Sequence, residues 1–292
     1  MKKLTRLPIL LLCLALPMAP VLPAIAQDEG VSVDRMSRLR GLVPAKELEQ
    51  QATMQYEELK QQASQKGALA SDTDPQLQRV RAISRRIIAN VSRWNPEAAD
   101  WQWEVNLFKS DSVNAFCMPG GKIAFFSGLV DTLKLTDDEI AIVAGHEIAH
   151  ALREHGRERV AKGNLLQLGA SLGSAIFGLG QTGQMVVGQG AQLALLRFSR
   201  EDETEADTVG LDLVARAGYD PRAGVAVWRK MAMLEKSAPP QWLSSHPSGN
   251  NRIAQIQKTL PQVMPVYAKA INAKPGALPP YRSNVQGIAP VQ

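Results

Sequence analysis

Apolar and polar positions recur along this chain with two distinct periods, and the change from one to the other marks its elements. Leu77, Val80, Ile83, Ile87, Ile88, Val91 and Trp94 fall at helical spacing behind Asp74-Pro75, an N-cap and a first helical residue. Upstream, Pro44 to about Ser64 carries only a thin apolar stripe among Glu, Gln, Lys and Ala, which predicts an exposed helix. Trp101, Trp103, Val105 and Leu107 alternate with Gln102, Glu104 and Asn106, the period of a half-buried strand. Two short apolar runs, Val113 to Met118 and Lys122 to Phe126, flank Pro119-Gly120-Gly121 and predict a hairpin. Thr136 with Glu139 forms a capping box, and Asp137, Asp138 and Glu139 put negative charge where a helix dipole favours it, so a helix runs on from there. Further helices are predicted from Ser199 to about Ala217, where Gly218 ends the run, after Asp220-Pro221 and after Pro247. The pattern is that of an α+β fold, mainly α-helical, with a small β-sheet beside one central helix.

The ends and one internal stretch break these periods. MKKLTR is basic, Leu7 to Leu22 is almost wholly apolar, and Ala24-Ile25-Ala26 has the form of a signal-peptidase site, so residues 1–26 are expected to be a cleaved signal peptide. Residues 27–73 read as an N-terminal helical segment, 74–265 as the main domain, and the proline-rich 266–292 as a disordered tail. Gly163 to Leu196 holds no charge, yet its glutamines leave no stretch long enough to cross a bilayer of about 30 Å. It is expected to form an apolar helical hairpin, packed in the core or covering a site; peripheral membrane contact is the alternative.

Charge narrows the partners. The chain has 33 basic against 28 acidic residues, but Lys2, Lys3 and Arg6 belong to the first six residues, and the 30 bases and 28 acids that remain are nearly balanced. No basic stripe with interleaved aromatics accompanies it, which argues against nucleic acid as a partner. Only Cys117 lies beyond the signal segment, so no internal disulfide is expected.

The chemistry is concentrated in HEIAH, His146 to His150, inside the capped helix. Four residues turn a helix through about 400°, so the two histidines share a face and can share one metal ion. Glu147 beside them is placed to take a proton from a water that the metal polarises, the chemistry of peptide hydrolysis. His155 lies about 140° round the helix from His150 and is expected to have a structural role in a hydrogen bond or a surface contact. A third ligand must come from another element, and SREDETEAD, Ser199 to Asp207, is the richest acidic helix start. Glu203 and Asp207 share a face there, so Glu203 suits a His2Glu site and Asp207 suits the outer ring N–H of a liganding histidine. Spacing alone leaves Glu201 open as well, while Glu201, Asp202 and Glu205 also fit a solvated acidic turn.

HEIAH, SREDETEAD some fifty residues on, and NAFCMPGG upstream together resemble the HtpX and CAAX-prenyl-protease family of zinc metallopeptidases, the gluzincins, in its soluble periplasmic BepA- and LoiP-like branch. The resemblance implies a zincin-type domain with one Zn2+ per chain held by His146, His150 and Glu203, Asp207 behind them, and Glu147 as catalytic base. It selects Glu203 because the family's ExxAD pattern matches Glu203 to Asp207. It further implies that Asn114, Ala115 and Phe116 line a substrate cleft, and that His246, in the HP…R element with Pro247 and Arg252, donates to an oxyanion or holds the zinc in a latent state. By the same resemblance and the export signal, the expected partners are unfolded or misfolded envelope proteins, cut internally in the periplasm. The alternative is a latent or non-proteolytic zinc-containing holdase for such proteins.

Overall fold

The computed structural model describes residues 29–164, 198–235, 242–246 and 251–292. The expected signal peptide, residue 165 onward of the apolar hairpin, and Pro247 lie outside the described residues.

Helix α1, Ala45–Gln65, and helix α2, Pro75–Ile88, precede a three-stranded sheet of β1, Glu104–Phe108, β2, Ala115–Met118, and β3, Lys122–Phe126. The strand order is β1-β3-β2: β3 is central, parallel to β1 and antiparallel to β2, with Ala115 opposite Phe125 and Met118 opposite Lys122. The Pro119-Gly120-Gly121 turn needs its glycines, whose φ angles of 79° and 82° lie in the left-handed region. The short α3, Ser127–Thr132, then leads into α4, Asp137–Leu152. Behind them come α5, Arg200–Arg216, α6, Ala223–Glu235, α7, Trp242–Ser245, and α8, Arg252–Ala270.

The sheet separates two apolar layers. One face, with Leu107, Ala115, Ile123 and Phe125, joins α2, α4 and α5 in the main core. The other, with Phe108, Phe116, Met118 and Ala124, is covered by α1 through Tyr56 and Leu59. Helix α4 is buried along almost its whole length, and the capping box predicted for it is present in both directions. That satisfaction of its first N–H groups lets so apolar a helix begin inside the protein.

The decisive packing is between α4 and α5. A methyl group added to Gly145 would lie 2.8 Å from Val214 Cγ2 and 2.9 Å from the carbonyl oxygen of Gly210; one added to Gly210 would lie 3.0 Å from the backbone of Gly145 and His146. The two helices therefore meet backbone to backbone. Glycine inside a helix costs about 1 kcal/mol against alanine, so two at facing positions mark a contact that is worth more than propensity.

Several sequence expectations need correction. Helix α2 ends at Ile88, with Val91 in the 3-10 turn that follows and Trp94 at its C-cap, and β1 begins at Glu104 rather than Trp101. The tail expected to be disordered is folded against the domain. Tyr281 and Val291 are buried and pair through backbone hydrogen bonds of 2.8 and 2.9 Å, and the Tyr281 hydroxyl lies 3.0 Å from Thr136 Oγ1 at the cap of α4. Asn284 meets Lys230, whose ammonium also pairs with buried Glu139 at 2.6 Å. Composition missed this because a few anchors, spaced among prolines, carry no period. The expected domain end at 265 also falls inside α8, which continues through Pro261 and Pro265 to Ala270.

Gly145→Ala is expected to force α4 and α5 apart, costing about 1–3 kcal/mol in urea unfolding and weakening metal binding in the same protein. Tyr281→Ala is expected to cost about 2–4 kcal/mol in the same measurement, where a disordered tail would lose nothing.

Candidate metal centre

The close approach at Gly145 and Gly210 brings the HEIAH face of α4 against the first turns of α5. His146 and His150 project from one side of α4, and Glu203 and Asp207, four residues apart on α5, project to meet them; all four are buried. His246, immediately after α7, closes the group. Ligand atoms of His146, His150, Glu203 and His246 all lie within 4.8 Å of one another.

The separations test whether a metal fits. His146 Nε2 is 3.1 Å from His150 Nε2 and 3.3 Å from His246 Nδ1, while Glu203 oxygens lie 3.6 Å from His146 Nε2 and 3.4 Å from His150 Nε2. Ligands at about 2.0–2.1 Å in a tetrahedron stand about 3.3 Å apart, so the spacing suits a zinc ion at the centre.

Protons strengthen the case. His146 Nδ1 lies 3.0 Å from Asp207 Oδ1, and a carboxylate oxygen only accepts, so Nδ1 carries the proton and Nε2 its lone pair. His155 Nε2 lies 3.0 Å from Glu205 Oε2 and must likewise donate, which leaves His155 Nδ1 to accept from His150 Nδ1 at 2.9 Å. His150 then also presents a lone pair at Nε2. Two lone pairs facing each other at 3.1 Å have no proton to share between them, and with Arg252 Nη2 approaching His146 Nε2 at 3.3 Å their surroundings suit positive charge.

The electrostatics agree. Burial pushes the His150 pKa well below its usual value, against the pull of the nearby Glu203 carboxylate, and so keeps the ring neutral as a ligand must be. Burial alone would raise the Glu203 pKa, but the imidazoles of His150, His246 and His146 that face it and the Arg252 guanidinium hold it far below the carboxylate range. Arg252 donates to both Glu203 and Asp207, the latter at 2.6 and 2.8 Å, with its guanidinium 4.1 Å from the ring of Trp228. It neutralises two carboxylates that could not otherwise be buried together.

Glu147 points beside this cluster, and its Oε1 accepts from Trp242 Nε1 at 2.7 Å and lies 3.6 Å from His246 Nε2. Sequence reasoning had no role for Trp242 and no partner for Arg252. It also assigned Glu205 to a solvated turn, whereas Glu205 is half-buried and binds His155 and Arg153. His155 is a buried support of His150, not a surface contact.

Of the three expected substrate residues, Phe116 alone lines the cleft. Phe116, Cys117 and Met118 line a cleft of about 600 Å³ that reaches Glu147, His150 and His246. Ala115 turns its side chain into the core, and Asn114 Oδ1 caps the Ala115 N–H at 3.0 Å while the Asn114 carbonyl pairs with Phe126. Among the described residues no helix is long and apolar enough to cross a membrane.

Comparison with known proteins agrees with the site. The chain is 41% identical to mitochondrial metalloendopeptidase OMA1 of Arabidopsis thaliana over 150 residues, 51% of this chain and 30% of that protein. It is 29% identical to the beta-barrel assembly-enhancing protease of Yersinia pestis over 210 residues, 66% of this chain and 40% of that protein. With metalloprotease LoiP of Escherichia coli the identity is 32% over 155 residues, 52% of this chain and 60% of that protein. The chain thus spans less than two thirds of the length of each of these relatives. The peptidase family M48 model matches residues 74–260, which hold the sheet, α4, α5 and every ligand of the candidate centre, and on that match the chain belongs to peptidase family M48.

Proposed function

We propose that the chain is a zinc-dependent endopeptidase, exported to the periplasm, that cuts internal peptide bonds of unfolded or misfolded envelope proteins. The observation that carries this reading is the convergence of two proton-fixed histidine lone pairs and the Glu203 carboxylate, with the Glu147 carboxylate beside them. Bound there by His146, His150 and Glu203, zinc supplies a Lewis acid that polarises carbonyl oxygen and acidifies water. Glu147 takes the proton of the attacking water as its oxygen bonds to the carbonyl carbon, and returns it to the amide nitrogen as the C–N bond breaks. β2 is an edge strand of the sheet, so an extended chain can add to it through backbone hydrogen bonds, which favours unfolded segments and reads little sequence. The apolar start of the chain supports export.

A second reading concerns the resting state. His246 Nδ1 lies 2.9 Å from Glu203 within the ligand cluster, and Trp242 holds Glu147, so His246 would serve as a fourth ligand to a bound metal and keep the centre latent.

In the purified chain, Glu147→Gln is expected to keep about one zinc per chain and lose roughly 10²- to 10⁴-fold in casein cleavage, whereas Glu203→Ala loses the metal. Intact cleavage by Glu147→Gln would rule out the base. His246→Ala is expected to raise basal cleavage if His246 blocks the metal; a fall would assign it to the oxyanion instead.

A further inference from the structure

The cleft has a second wall, built by none of the residues that hold the metal. One face of α1 supplies it: Leu48, Ala52, Gln55 and Leu59, three or four residues apart in a single stripe. The helix is fixed at both ends. Towards its C-terminus the Tyr56 hydroxyl donates to the Ile123 carbonyl and Lys60 pairs with Glu104 at 2.6 Å, so α1 is anchored on the sheet. Ahead of its N-terminus, Arg157 donates to the Val43 carbonyl at 2.6 Å and Arg40 pairs with Glu154 at 2.9 Å, so it is also clasped to the segment that follows α4. A wall held this way is preformed rather than assembled on binding.

The pleat of β2 decides what meets that wall. Phe116 and Met118 turn to the α1 side, in the apolar cluster with Tyr56 and Leu59, while Ala115 and Cys117 turn to the side of α4. A peptide that pairs with β2 continues the pleat. Every second side chain is then delivered between Phe116, Met118 and the α1 stripe, and the others towards Glu147. Of the charged residues that line the cleft, Glu154 and Arg157 pair with each other at 2.8 Å and Arg159 sits over the ring of Phe198, while Glu49 of α1 flanks the stripe beside Leu48. The stripe itself offers two leucines, an alanine and one uncharged amide. Helix α1 also precedes the region matched by the family model, so this wall is added to the shared core from outside it.

We propose that the α1 stripe of Leu48, Ala52, Gln55 and Leu59 is a specificity wall that selects extended peptides carrying apolar side chains at alternate positions. The inference rests on the endopeptidase reading for the identity of the cleft, but its test reads binding rather than cleavage. Zinc-loaded full chain carrying Glu147→Gln is titrated with labelled peptides of alternating Leu-Ser, alternating Asp-Ser and all-Ser sequence, followed by fluorescence anisotropy. The Leu-Ser peptide is expected to bind at least about tenfold tighter than the other two. Adding Gln55→Lys, at an exposed position that does not endanger the fold, or Leu48→Lys, is expected to move the preference towards the Asp-Ser peptide by about tenfold. Equal affinities for the three peptides, no binding of any of them, or a preference unmoved by both lysine variants would overturn the wall. A Glu147-intact chain that cuts nothing, with and without His246→Ala, while the binding preference holds would overturn the endopeptidase reading and leave the wall standing.

Discussion

The backbone contact between Gly145 and Gly210 is the constraint from which the rest of the site follows. His146 is the residue after Gly145, and Glu203 lies two turns before Gly210, so the distance between the helix axes there sets the distance between the imidazoles and the carboxylate. An added methyl at either glycine would meet backbone, which cannot swing away as a side chain can. Ligand separations near 3.3 Å leave no room for that displacement, because coordination geometry tolerates only a few tenths of an ångström.

So tight an approach buries groups that water would otherwise stabilise. Glu147, Glu203, Asp207, His146, His150 and His246 are all nearly inaccessible, and a cluster of acids and imidazoles in low dielectric is costly unless each has a partner. The structure distributes those partners in two directions. Arg252 of α8 neutralises Glu203 and Asp207 from behind, while Asp207 and the His155–Glu205 pair fix the outer nitrogens of the two liganding rings. What remains unmatched is the inner face, where lone pairs converge. The polar network outside is therefore complete only in the sense that it leaves one cationic position to fill.

Much of this was legible along the chain because it depends on local periods. The capping box at Thr136, the HEIAH face, the hairpin around Pro119 and the shared face of Glu203 and Asp207 follow from spacing within one element. What was hidden is what forms between elements. Glu205 looked solvated because its partner His155 lies fifty residues away, and nothing in the spacing of Trp242 announces that its indole reaches Glu147. Gly145 and Gly210 were visible as glycines inside helices, a local weakness whose reason appears only when the two helices are set side by side. The tail failed for the opposite reason: sparse anchors such as Tyr281 and Val291 have no period to detect, and proline content outweighed them.

The α4–α5 contact also explains why selectivity is best placed elsewhere. The candidate metal ligands are locked between two helices whose backbones touch, so substitutions there alter the centre before they alter what enters it. An edge strand such as β2 offers a partner only backbone hydrogen bonds, which are indifferent to side chains beyond their pleat. A wall facing it is the remaining surface that can distinguish one extended chain from another, and α1, anchored to the sheet at Tyr56 and to the far side of the cleft through Val43, meets every second side chain without touching the ligands. Separating the reading surface from the reacting one lets the first vary at positions such as Gln55 while the second stays fixed by two glycines.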